Sequence, residues 1–118
     1  MAALATTGAD LVAFPETSLD GWMNNDALLA APPIPGNWSK SIGSLAAAHR
    51  VWILIGIVET SGGKLYDTAI LVDKTGRLVM KHRKNNIVCY QDGCNYTPGT
   101  NVSVAEVVLF NHFLTFSG

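Results

Sequence analysis

The sequence predicts an α/β fold, and three observations carry that prediction. A short apolar run, Leu11 to Phe14, stops at Pro15 and is followed at once by Glu16. A longer apolar run extends from Val51 to Val58, and between the two the segment from about Ser39 to Arg50 shows helical rather than alternating spacing. Apolar strands separated by a helix are what a sheet covered on both faces requires.

The elements follow in order. Met1 to Thr7 read as the last turns of a helix, closed by Gly8 in the position favoured just after a helix. Leu11 to Phe14 read as a strand buried on both faces, and Pro15, which has no N–H to give the ladder, ends it. Glu16 then falls where open α/β sheets hold their ligands, outside the carboxyl ends of the strands. The plainer alternative is a solvated turn glutamate. Residues 17 to 37 hold Pro32, Pro33, Pro35, two glycines and several small polar residues, which predicts an irregular loop across the mouth of the site. Trp38, Ile42, Leu45, Ala46 and His49 recur at helical spacing, with His49 and Arg50 suited to the negative end of the helix dipole. His49 reads as a cap or surface group rather than a ligand.

Val51 to Val58 read as a buried strand. Tyr66 to Asp73, a turn at Lys74-Thr75-Gly76, and Arg77 to Met80 form a hairpin. Its second arm runs into Lys81-His82-Arg83-Lys84. That cluster can aim an ammonium group at the mouth that holds Glu16, or it can serve as a charged edge that discourages aggregation. Val102 to Phe110 can form one further strand.

Composition narrows the function classes. The 118 residues are 48% hydrophobic and only 14% charged, so much apolar surface seeks a partner. Eight Lys and Arg against nine Asp and Glu give a net charge of -1, which offers no electrostatic case for nucleic acid or an anionic membrane. The apolar runs fall far short of the ~20 residues that span a bilayer. The start, Met1-Ala2-Ala3-Leu4-Ala5, has neither a basic flank nor a long apolar region, so a cytoplasmic location is expected. The glycosylation patterns at Asn37, Asn95 and Asn101 then read as chance. Cys89 and Cys94 read as reduced loop thiols. His49, His82 and His112 match no metal-ligand spacing, so neither metal nor cofactor is expected.

Four stretches in order resemble the nitrilase, or carbon-nitrogen hydrolase, superfamily: GADLVAFPE at 8 to 16, VWILIGIVE at 51 to 59, YDTAILVDKTGRLVMKHRK at 66 to 84, and YTPG at 96 to 99. The resemblance implies an α-β-β-α sandwich, of which residues 1–118 are expected to be one incomplete domain, truncated at both ends. It implies hydrolysis of a non-peptide amide or nitrile by a Cys-Glu-Lys triad, in which a thiolate attacks and water releases the resulting thioester. Onto that triad Glu16 maps as the general base and Lys84 as the cation that stabilises the oxyanion. Lys84 is chosen because the family lysine follows an aromatic or His and then Arg, as in His82-Arg83-Lys84. Lys81 is then expected to be a solvated strand residue. The implied partner is a small-molecule amide or nitrile, with a homo-oligomer expected for the complete protein.

The chain departs from the family pattern in places. Leu19-Asp20-Gly21-Trp22 replaces the usual Leu-Thr-Gly-Tyr, and Asp67 stands where Asn is usual. Residues 85 to 97 offer only Asp92 and no Glu for an auxiliary carboxylate. No cysteine follows Pro98-Gly99, and Cys89-Tyr90, which echoes the nucleophile dipeptide, precedes it; neither Cys89 nor Cys94 is assigned a catalytic role. A second reading therefore stays open, a non-catalytic family-derived protein that binds a small amide or a family partner.

Overall fold

The computed structural model describes residues 8–19, 21, 26, 30–87, 96–109 and 112–117. A four-stranded sheet runs β1 (Leu11–Ala13), β2 (Trp52–Ser61), β3 (Lys64–Val72) and β4 (Leu78–Arg83) in that spatial order. β1 lies parallel to β2, and the remaining pairs are antiparallel. Helix α1 (Asn37–His49) connects β1 to β2, as a parallel pair requires. β5 (Val104–Leu109) and β6 (His112–Ser117) form a separate antiparallel pair.

The pleat of β2 and β3 sorts the core. Ile53, Ile55 and Ile57 of β2 share a face with Ile70 and Val72 of β3, and Ile42 and Ala46 of α1 cover it. Fully burying each isoleucine contributes about 1.5–3 kcal/mol. α1 starts two residues before the predicted Ser39. Gly36 is its N-cap, with the Gly36 N–H donating to Ser39 Oγ at 2.8 Å. It ends at Arg50, whose left-handed backbone lets its N–H close the last turn. Its buried stripe is Ser39, Ile42, Gly43 and Ala46, while Leu45, assigned to the apolar stripe by sequence, is exposed.

Two other expectations are corrected. β1 is not buried on both faces: Leu11 and Val12 are half-buried and Ala13 is exposed. It pairs with β2 alone among the described residues. Asp26 and Ala30 have helical backbone inside the segment read as irregular loop. Ala30 favours helix, a preference that the neighbouring prolines obscured. The strand expected within Val102 to Phe110 is present as β5, and β6, which was not read from the sequence, returns beside it.

Two turns set the sheet. Gly62 and Gly63 have φ of 56° and 74°, the pair of positive values that a two-residue hairpin turn needs, and they fold β2 back onto β3. At the β3–β4 turn, Asp73 Oδ1 accepts from the Thr75 N–H at 2.9 Å, Thr75 Oγ1 at 2.6 Å and the Arg77 N–H at 3.0 Å. One carboxylate thus satisfies the turn. The predicted helix end at Met1 to Thr7, and Cys89 and Cys94, lie outside the described residues.

Candidate active site

The second face of the sheet carries Leu54 and Gly56 of β2, Asp67 and Ala69 of β3, and His82 of β4, followed by Lys84. Together with Phe14 and Glu16 they line a cavity of about 280 Å³. Glu16 reaches it through a tight turn. After β1 the chain is zipped to β2 by main-chain bonds: Phe14 N–H to Leu54 O at 2.8 Å, Gly56 N–H to Pro15 O at 3.3 Å, and Ser18 N–H to Gly56 O at 2.9 Å. Gly56 permits this approach. A Cβ there would lie 2.6 Å from Glu16 Cα and 2.9 Å from Thr17 N. Thr17, buried, holds φ of 48°, a strained value for a β-branched residue.

Lys84 is fixed from both sides. Its N–H donates to Asp67 O at 2.8 Å, and its carbonyl accepts from the Gly99 N–H at 2.8 Å. Thr97 N–H donates to Leu65 O at 2.7 Å, so the Tyr96-Thr97-Pro98-Gly99 segment straps the end of β4 to the start of β3. From this position Lys84 Nζ donates to Glu16 Oε1 and lies 3.7 Å from Asp67 Oδ2. The structure therefore brings the two residues singled out by sequence, 68 positions apart, into one ion pair.

The electrostatics differ sharply between the two acids. The hydrogen bond with Asp67, then that from Lys84, hold the Glu16 carboxyl below its ordinary value against the opposing effect of burial. The Glu16 side chain is 47% exposed, so it is less sheltered than a base tuned by burial. Asp67 is the sheltered acid. Its side chain is 5% exposed, and burial first, then the hydrogen bond and repulsion of Glu16, push its pKa up to about 7 against the pull of Lys84. The bond to Glu16 raises the pKa of Lys84, which stays charged.

The basic cluster divides between the two faces. Lys81 is not the solvated residue expected from sequence. Its Nζ donates to Glu59 Oε2 at 2.8 Å and to Ile34 O at 3.0 Å on the helix-covered face. Arg83 forks onto the same carboxylate at 2.7 and 3.1 Å and stacks over Tyr66, 3.9 Å from the ring centre. Thr68 Oγ1 adds a bond at 3.0 Å. Burial opposes the charge of Glu59, yet the bonds from Arg83, Lys81 and Thr68 outweigh it and hold the carboxyl below its ordinary value. Glu59 was missed as a structural centre. The signal was its place on the isoleucine face of β2, where a carboxylate must find partners. Among the described residues no three His, Cys, Asp or Glu side chains are grouped to hold a metal, and no helix is long and apolar enough to cross a membrane.

The model of the carbon-nitrogen hydrolase family matches residues 1–110. The chain belongs to the carbon-nitrogen hydrolase family. This carbon-nitrogen hydrolase chain is 26% identical over 103 residues to the bifunctional nitrilase/nitrile hydratase NIT4A of Nicotiana tabacum, a match covering 71% of the chain and 30% of that protein. It is 29% identical over 111 residues to the omega-amidase NIT2 of Xenopus tropicalis, covering 86% and 40%. Its fold matches that of an amidase from Nesterenkonia sp. with a TM-score of 0.76 at 15% identity, covering 97% of this chain and 45% of that one. The α/β fold of the superfamily is thereby shown. The chain spans about a third of the length of the curated relatives it matches.

Proposed function

We infer that this chain supplies the general base, Glu16, and the oxyanion-stabilising cation, Lys84, of a Cys-Glu-Lys carbon-nitrogen hydrolase acting on small non-peptide amides or nitriles. The observation that carries the reading is the Glu16–Lys84 ion pair at the wall of the 280 Å³ cavity, in a chain of this family. Glu16 takes the proton of an attacking thiol and returns it to the departing amine or ammonia. Lys84 keeps its charge and meets the oxygen or nitrogen anion that develops on the attacked carbon. The thiol is to be sought outside these 118 residues, since no cysteine follows Gly99. On this reading residues 1–118 are part of a larger domain.

The test uses the full-length protein that carries this chain. Glu16→Gln and Lys84→Met are assayed for ammonia release from a panel of amides and nitriles. A folded Glu16→Gln variant should lose on the order of a hundredfold or more in turnover. Near-normal turnover in that variant would remove Glu16 from the role.

A further inference from the structure

Asp67 and Glu16 are both carboxyls, they wall the same cavity, and Lys84 Nζ forms ion pairs with both. A carboxylate only accepts, so a hydrogen bond between the two exists only when one of them holds a proton. The cavity contains one ammonium, Lys84, for these two acids. Lys84 donates to Glu16 and stands 3.7 Å from Asp67 Oδ2, beyond hydrogen-bond reach. Asp67 Oδ2 is buried and accepts no hydrogen bond. An ionised Asp67 would thus be a desolvated and poorly compensated charge, whereas a neutral one has a use for its proton. The other described residues of the lining bring no second ammonium. From β4 the cavity receives His82, whose Nδ1 lies 3.3 Å from Ser103 Oγ, and from β2 only Leu54, Ile55 and Gly56.

We propose that Asp67 is a positioning residue for Glu16: in its neutral form it donates a hydrogen bond to the Glu16 carboxylate, so the two acids share one proton and Glu16 is held against Lys84. The proposal rests on the reading of Glu16 as the base and adds to it. Glu16 alone is half-exposed on a turn, and the Lys84 ion pair, partly open to water, fixes it only weakly. Asp67 supplies the missing constraint from the rigid centre of β3. When the pair loses its proton to solvent, two carboxylates face one ammonium. The cavity then carries one net negative charge among Glu16, Asp67 and Lys84. Glu16 is repelled, Lys84 is drawn between two anions, and anionic substrates are disfavoured. The pair titrates as a unit, near pH 7, the value about which Asp67 is set.

Two measurements test this. In the first, the Asp67 carboxyl carbon is followed by NMR over about pH 4–9 in full-length wild-type protein and in Glu16→Gln. The wild-type midpoint should fall at about 7, and it should drop by about one unit or more in Glu16→Gln, where the anion is gone and Lys84 remains. His82→Gln should leave the Asp67 midpoint in place, which separates the two groups. A wild-type midpoint near the ordinary aspartate value of 3.8, or one unmoved in Glu16→Gln, overturns the proposal without any assay of turnover. The second measurement is the pH profile of kcat/KM. Wild type should fall about tenfold or more between about pH 6 and about pH 9. Asp67→Asn, whose amide donates at every pH, should lack that fall, and Asp67→Leu should be impaired at every pH. A fall retained in Asp67→Asn overturns the proposal. Full turnover in Glu16→Gln instead defeats the base assignment, and the NMR result still reports on the shared proton.

Discussion

Gly56→Ala is the sharpest perturbation the site allows, because it adds one methyl group and removes nothing. The new Cβ would sit 2.6 Å from Glu16 Cα and 2.9 Å from both Pro15 O and Thr17 N. Unbonded carbons rest about 3.5–4.0 Å apart, so the turn must retreat by about 1 Å. All three obstructing atoms are main chain, and no side-chain rotation can relieve them. Gly56 has no positive φ, so the effect is steric rather than conformational. The retreat strains the bonds Gly56 N–H to Pro15 O and Ser18 N–H to Gly56 O, at 3.3 and 2.9 Å. Overpacking of this kind costs about 1–3 kcal/mol, and a 1 Å displacement of a catalytic group costs on the order of a hundredfold in rate. Urea unfolding and steady-state turnover of the full-length variant measure the two effects. Stability within about 0.5 kcal/mol of wild type, with turnover intact, would refute the claim that Gly56 sets the position of Glu16.

The remaining predictions concern both faces. Lys81→Met should destabilise the fold by about 1–3 kcal/mol by taking a donor from buried Glu59, and urea unfolding should show the loss; a neutral result would restore the solvated lysine. Glu59→Gln should flatten the acid limb of stability. The folded pKa of Glu59 is depressed, so its contribution is present above the ordinary value of 4.5 and is lost as pH falls below it. Melting temperatures of wild type and variant should therefore converge as the medium is acidified. Residues 1–118 expressed alone should release no ammonia from amides or nitriles, since Glu16 and Lys84 have no positioned thiolate to assist; release abolished by Cys89→Ala or Cys94→Ala would identify a nucleophile within the chain.

The strand pattern was legible because periodicity records burial. Val51 to Val58 and the β3–β4 hairpin appear where their apolar residues place them, and the matched motifs led to Glu16 and Lys84. Less visible was anything fixed by contacts across strands. Lys81 and Arg83 look alike in sequence to Lys84, and only the register of β4 on β3 shows which face each one meets. The Gly62-Gly63 turn was present in the sequence but not read, although paired glycines between two apolar runs signal a hairpin. Asp67 was noticed as a change from Asn; its burial beside Glu16, which makes the change chemical, needs the folded sheet. β1 misled because four apolar residues suggest an interior strand, whereas it has one described neighbour.

The alternation of Lys81, His82, Arg83 and Lys84 across β4 bears on how the chain folds. The pleat sends Lys81 and Arg83 to Glu59 and sends His82 and Lys84 to the cavity. A slip of one residue would exchange every pair, setting the forked guanidinium of Arg83 in the cavity and leaving Glu59 to an imidazole and a single ammonium. The β3–β4 ladder carries an irregularity at Leu71/Val72, the kind of place where such a slip could begin. Correct pairing is thus checked twice, once on each side of the sheet, by charges rather than by shape. A misaligned hairpin would be penalised even where its apolar residues still found partners, so the charge order of four consecutive residues acts as a proofreading device for strand assembly.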